Sequence, residues 1–242
     1  MTQHAEPARR GPVRAARDAA ETVEDAAGAV AQAVKPHLRG WIHAGAIPFV
    51  LALSIVSVCL APAGADRWSV AVFGLSACLL FGTSAVYHRG TWSPRTAAVL
   101  RRADHSNIFL IIAGTYTPLA VMLLPHHTTV WLLWVVWGGA ALGLLARIVW
   151  LGAPRWVYVP VYVALGWVAV GFLPQFWHDG GPAVTWLVVA GGLAYTLGAV
   201  VYGTKRPDPS PRWFGFHEVF HTLTVVGFTC HAVAIMIVAV RA

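Results

Sequence analysis

The chain has 242 residues, 57% hydrophobic and only 11% charged, with a mean hydropathy of +0.63. Soluble domains are about a quarter charged, so an ordinary water-soluble globule is excluded and one bilayer-embedded domain is expected over 41–242. The net charge of +7 and pI near 9.8 would suit a nucleic-acid partner. Here, however, the basic residues stand singly in connecting segments with no interleaved aromatic face, and no nucleic acid is expected.

Residues 1–40 differ from the rest. Val13, Ala16, Ala20, Val23, Ala27, Val30 and Val34 recur at three- and four-residue spacing, a weak stripe of small side chains. Asp18, Glu21, Glu24 and Asp25 would face anionic lipid unfavourably. A partly disordered cytoplasmic tail, or a helix lying on the protein, is expected over a membrane anchor, with Pro36 ending any such helix. The segment has no apolar core of the kind a signal peptide needs, so the first span is expected to direct insertion.

Seven apolar segments follow, at about 41–62, 68–88, 104–124, 130–151, 156–175, 183–203 and 216–240. Each is close to the ~20 residues a helix needs to cross a hydrocarbon core of about 30 Å. Backbone groups in lipid must be satisfied internally, so the predicted fold is an all-α bundle of seven transmembrane helices. Arg101, Arg102 and Asp104 precede the apolar run at Ile108, so the third helix is expected to begin in the interface. Pro118, Pro160 and Pro174 are expected to kink or end their helices.

Lysine and arginine set the orientation. All but two of the 17 fall on one side: those of the tail, then Arg89, Arg95, Arg101 and Arg102, then Arg147 and Arg155, then Lys205, Arg206 and Arg212. Only Arg67 and Arg241 fall on the other. The positive-inside rule then puts the N-terminus in the cytoplasm and the C-terminus outside, in a cell membrane. Trp41, Trp92, Trp150, Trp156 and Trp213 mark the inner ends of spans, and Trp68, Trp131, Trp177 and Trp186 the outer ends. Trp134, Trp137 and Trp167 are expected in the core. Cys59, Cys78 and Cys230 lie inside apolar runs and read as small buried residues, not a disulfide framework.

Ionisable side chains at membrane depth point to function. With this topology His88 ends span two, Asp104 opens span three, and His217 and His221 open span seven, all at the cytoplasmic face. Two imidazoles at i and i+4 share a helix face and can chelate one ion. A third from His88 completes three protein ligands and leaves one position for water, the pattern of a catalytic zinc site. Asp104 and Glu218 are the acidic residues beside these histidines, and either could orient or deprotonate the attacking water; Asp104 is preferred. Glu218 completes the string His217-Glu218-Val219-Phe220-His221, in which the Glu of soluble metalloproteases acts as base. Its bland role is to favour the dipole of its helix's first turn. Ser84, four residues before His88, could donate a hydrogen bond to the nucleophile or to a developing oxyanion, or simply bond a carbonyl one turn back. Asp104 could instead pair with Arg101 or Arg102. His43 and His231 are expected to be structural or proton-handling, and His105 to face away.

The runs Ser84-Ala-Val-Tyr-His88, Asp104-His105-Ser106, Ala113-Gly-Thr-Tyr-Thr-Pro118 and His217-Glu-Val-Phe-His221 resemble the bacterial hemolysin III family. That family stands with the progestin and adipoQ receptors and, more distantly, the alkaline ceramidases; the resemblance covers about residues 37–240. It implies a seven-helix protein in which His88, His217 and His221 bind Zn2+, Asp104 reaches the metal through water and Ser84 lies beside it. One departure matters. The family's first span usually opens with Glu and Asn ahead of Thr-His, whereas Arg39-Gly40-Trp41-Ile42-His43 keeps only the histidine. The leading expectation is a zinc-dependent hydrolase acting on a lipid amide or ester, with a membrane lipid as substrate. The alternatives are a non-catalytic zinc-stapled receptor or membrane-homeostasis protein, and a cytolytic pore, which the lack of a continuous polar stripe on any span disfavours.

Overall fold

A computed structural model describes residues 36–150 and 154–242. The tail through residue 35, with its arginines and its weak apolar stripe, lies outside them, as do residues 151–153 at the end of the fourth predicted span. The described residues form helices and no β-strand, apart from a single bridge between Ser210 and Phe214. We label the long helices α1 (Trp41–Leu60), α2 (Ala65–Arg89), α3 (Pro94–Leu123), α4 (His126–Val149), α5 (Arg155–Trp167), α6 (Gly181–Thr204) and α7 (Phe216–Arg241). This is an all-helical membrane protein.

Six helical stretches among the described residues are long and apolar enough to cross a membrane, and the fifth runs 49 residues from Trp156 to Thr204. The sequence reading expects two spans there. A straight helix of that length would extend about 74 Å, more than twice the hydrocarbon core. The chain instead doubles back. Tyr158 and Tyr202, 44 residues apart, meet hydroxyl to hydroxyl at 3.4 Å, and Trp167 Nε1 donates to Thr196 Oγ1 at 2.9 Å. Both contacts nest around Gly181, whose φ of +84° reverses the chain at a backbone angle that glycine adopts without strain. The irregular turns between Val168 and Gly180 carry the chain into that reversal, so α5 and α6 run antiparallel.

The third helix starts earlier than its apolar run. Ser93 accepts a hydrogen bond from the Thr96 N–H at 3.2 Å and Pro94 occupies the first turn, a favoured N-terminus. At 30 residues α3 spans about 45 Å, so its first turns project beyond a hydrocarbon core. Asp104 is therefore well inside a helix and not at its opening.

Helix α3 packs on α2 and α4, and α7 on α6 and α1, with α3 and α7 also touching each other. Small residues allow this closeness, as the Gly114 to Pro118 string suggests. A Cβ at Gly114 would lie 2.2 Å from Ser76 Oγ, and one at Gly143 would lie 2.2 Å from the Phe109 ring. Ser76 cannot simply rotate away, because its hydroxyl donates to the Phe73 carbonyl at 2.7 Å. Gly114→Val should therefore cost about 1–3 kcal/mol, read as a lower melting temperature of the detergent-solubilised protein. An unchanged melting temperature would mean that this contact does not hold α2 to α3.

Two expectations about side-chain placement are corrected. Trp134 is 77% exposed and faces outward, and Trp167, 42% exposed, stands at the cavity lining and not in the packed core, whereas Trp137 turns inward, donating to Thr117 Oγ1 at 3.1 Å. Cys59 is exposed, while Cys78 and Cys230 are half-buried, and all three are free thiols. In lipid an outward apolar side chain is as well solvated as an inward one, so hydrophobicity alone does not decide the facing of such residues.

Candidate metal centre

The i, i+4 spacing on α7 puts His217 and His221 on one face, with ring centroids 4.4 Å apart. His88, in the last turn of α2, reaches the same point: its Nε2 lies 3.2 Å from His217 Nε2, and its ring centroid 5.2 Å from that of His221. One ligand nitrogen from each of the three histidines lies within 4.8 Å of the others, and all three side chains are buried. In a tetrahedral zinc site with Zn–N bonds near 2.0–2.1 Å, ligand atoms sit about 3.3 Å apart. The His88–His217 spacing matches that edge. His221 Nδ1 is moreover buried without a hydrogen-bond partner among the described residues. The donor set, three imidazoles with no thiolate, suits Zn2+. The residues present therefore fit the ion.

Asp104 joins from α3, with Oδ2 3.6 Å from His88 Nε2. It is buried. Ser84, buried one turn before His88 on α2, lines the same cavity as Asp104, His217 and His221. The four residues expected from α2, α3 and α7 thus converge, with Ser84 beside them.

Glu218 does not. Its Oε1 accepts from Arg39 Nε at 2.5 Å, and its Oε2 accepts from the Gly215 N–H at 2.9 Å, which caps α7. Both oxygens are engaged, and Glu218 is not among the residues that line the cavity. Arg39 belongs to a strap leading into α1, where the His37 and Leu38 N–H groups donate to the Arg212 and Trp213 carbonyls. Gly40, with φ +80°, presses against His88 so closely that a Cβ would fall 2.7 Å from His88 Cβ. The departure at Arg39-Gly40 therefore has a structural use: the arginine ties the strap to α7 and the glycine lets it lie against a site histidine. Breaking a buried pair costs about 3–5 kcal/mol, and Arg39 is partly solvated, so Glu218→Ala should fall at the low end. It should lower the melting temperature while the metal content stays at wild-type level; loss of metal from a well-folded variant would move Glu218 into the site.

Three further residues were not anticipated at the site. His43 on α1 is buried and stacks on His221, rings 3.8 Å apart and nearly parallel. His105 lines the cavity, where its Nδ1 accepts from Arg147 Nη2 at 2.7 Å. Arg147, used in the sequence only to count charge on the cytoplasmic side, is buried and also lies over the Tyr158 ring at 4.4 Å. The signal for Arg147 was its position one helical turn inside the end of an apolar run, which charge counting ignores.

The cavity holds about 280 Å³ and runs from these histidines along α3 and α7 between apolar walls that include Leu80, Ile108, Ile112, Leu119 and Phe176. A buried histidine–aspartate cluster opening on such a cavity defines a multi-pass helical membrane protein with a candidate metal centre. The comparisons agree on its family. The sequence profile described as Haemolysin-III related matches residues 31–232. The chain is 30% identical over 152 residues to the Hemolysin-3 homolog of Bacillus subtilis (strain 168), covering 62% of this chain and 71% of that protein. It is 30% identical over 176 residues to Hemolysin-3 of Bacillus cereus (71% and 80%), and 28% identical over 189 residues to Heptahelical transmembrane protein ADIPOR2 of Oryza sativa subsp. japonica (71% and 82%). The chain belongs to the haemolysin III family.

Proposed function

We propose that this protein is a zinc-dependent hydrolase of the cell membrane that cleaves an amide or ester bond of a membrane lipid. One observation carries the reading: the buried histidine–aspartate cluster stands at one end of a long apolar cavity. A lipid places its carbonyl at the polar end and its acyl chain along the walls, and the surrounding helices keep bulk water out. His88, His217 and His221 hold the zinc ion, which supplies Lewis acidity to a carbonyl oxygen and to water.

The remaining chemistry belongs to the chain. Asp104 takes the proton of the attacking water and returns it to the departing nitrogen or oxygen, so that the C–N or C–O bond breaks and a free fatty acid is released with an amine or alcohol. Ser84 donates a hydrogen bond to the oxygen on which charge develops. Glu218 holds α7 to the N-terminal strap and takes no part. His43, stacked on His221, fixes the plane of that ring.

The helices are read as seven crossings, with α5 and α6 separate spans, the N-terminus inside and the C-terminus outside. The doubling back at Gly181 supports this count, as does the word heptahelical in the rice relative's name.

The test is turnover of a panel of acyl-amide and acyl-ester lipids in proteoliposomes, with released fatty acid quantified by mass spectrometry. Zinc-dependent release is expected. Zinc-loaded protein that melts lower on chelation but cleaves nothing in the panel would favour a structural staple, and dye leakage without cleavage would favour the membrane lysis that the bacterial relatives' names describe.

A further inference from the structure

The same cavity carries two polar side chains, remote from the metal centre, that the chemistry above does not use. Tyr195 on α6 and His231 on α7 both line it. Tyr195 Oη and His231 Nδ1 are each buried without a hydrogen-bond partner among the described residues. Each ring is seated against a glycine of the opposite helix. A Cβ at Gly227 would lie 2.9 Å from the Tyr195 ring, and one at Gly191 would lie 2.5 Å from the His231 ring. The two ring centroids are 5.5 Å apart. Two glycines thus admit a pair of polar rings to this part of the cavity wall, at a cost in stability for every polar atom left unpaired.

The chemistry of the pair is specific. His231 Nε2 lies 3.1 Å from the Val188 carbonyl oxygen. A carbonyl only accepts, so Nε2 carries the hydrogen and Nδ1 is left as an acceptor. The tyrosine hydroxyl donates or accepts. A carboxylate or phosphate offers acceptors alone and would leave Nδ1 unpaired. A hydroxyl satisfies both groups, donating to Nδ1 and accepting from Tyr195.

Distance places that hydroxyl on the ligand. His231 follows His221 by ten residues on one helix, about 15 Å along the axis. With carbon–carbon bonds near 1.5 Å in an extended zigzag, that is about a dozen carbons. We propose that Tyr195 and His231 form a polar subsite for a hydroxyl carried far along the acyl chain, about a dozen carbons from the carbonyl held at the histidines. The inference rests on the reading of the cavity as an acyl site.

The experiment is competition between dodecanoic acid and 12-hydroxydodecanoic acid for a fluorescent fatty acid bound to the full-length protein in nanodiscs, with zinc content measured on the same samples. The hydroxylated acid is expected to bind about tenfold more tightly, the worth of about one to two net hydrogen bonds. In Tyr195→Phe and, separately, in His231→Phe that ratio should fall towards one. Tyr195→Phe removes an unpaired hydroxyl, so the ligand-free variant should melt no lower than wild type, which keeps the comparison interpretable. Equal affinities in the wild type, or a ratio that persists in both variants, would overturn the subsite and leave the hydrolase reading standing. Zinc-loaded protein that binds neither acid would overturn the subsite together with the acyl cavity.

Discussion

Replacing His217 with alanine is expected to empty the metal centre, lowering zinc affinity by at least about 100-fold. Loss of even an outer-shell partner typically costs 10–100-fold in metal affinity, and His217 supplies one of only three nitrogens. Its Nε2 is the atom 3.2 Å from His88 Nε2, so the substitution removes the edge of the triad that matches a tetrahedral zinc site. His88 and His221 remain, on different helices, and two imidazoles do not make a closed zinc site. Stability should fall as well. A ligand at about 100 times its Kd adds about 2.7 kcal/mol, so the variant should melt below wild type and, unlike wild type, should not shift when a chelator is added. Metal analysis and melting curves with and without chelator check both points. Stoichiometric zinc in the variant would remove His217 from the ligand set.

Asp104→Asn tests the chemistry. Asparagine has the same shape and can still accept a hydrogen bond, but it cannot hold a proton. The zinc content should stay near wild type while the rate of lipid cleavage falls by about 10²–10⁴-fold, the usual contribution of a positioned general base. Substrate affinity should change little, because asparagine keeps the shape of the side chain at that end of the cavity and the apolar walls along the acyl chain are untouched. Turnover equal to wild type would take Asp104 out of the mechanism. Loss of zinc with loss of turnover would make it a ligand.

The convergence of His88, Asp104, His217 and His221 was legible because two periodicities agree. The spacing of His217 and His221 fixes a helix face, and the ends of apolar runs fix a depth. What depth and facing do not fix is rotation about each helix axis. His105 was expected to face away, yet it enters the cavity wall because Arg147 and Tyr202 meet it there. Glu218 sat in a string that names a general base in soluble proteases, but one residue along a helix is a turn of 100°, and that turn carries it to Arg39. Trp134 and Cys59 were misplaced for the related reason that a bilayer does not penalise an outward apolar side chain. The all-helical membrane fold was legible in the apolar runs, and the break that the sequence places between the runs at 156–175 and 183–203 falls where the chain doubles back at Gly181. The bonds that join α5 to α6, such as Trp167 to Thr196, depend on tertiary pairing that no local pattern encodes.

Zinc K-edge X-ray absorption of the purified protein tests the central claim most directly. Three imidazole nitrogens and one further light atom at about 2.0–2.1 Å are predicted, with the imidazole signal lost in the triad variants. Sulfur neighbours near 2.3 Å, or a spectrum unchanged when His88, His217 and His221 are replaced, would contradict it.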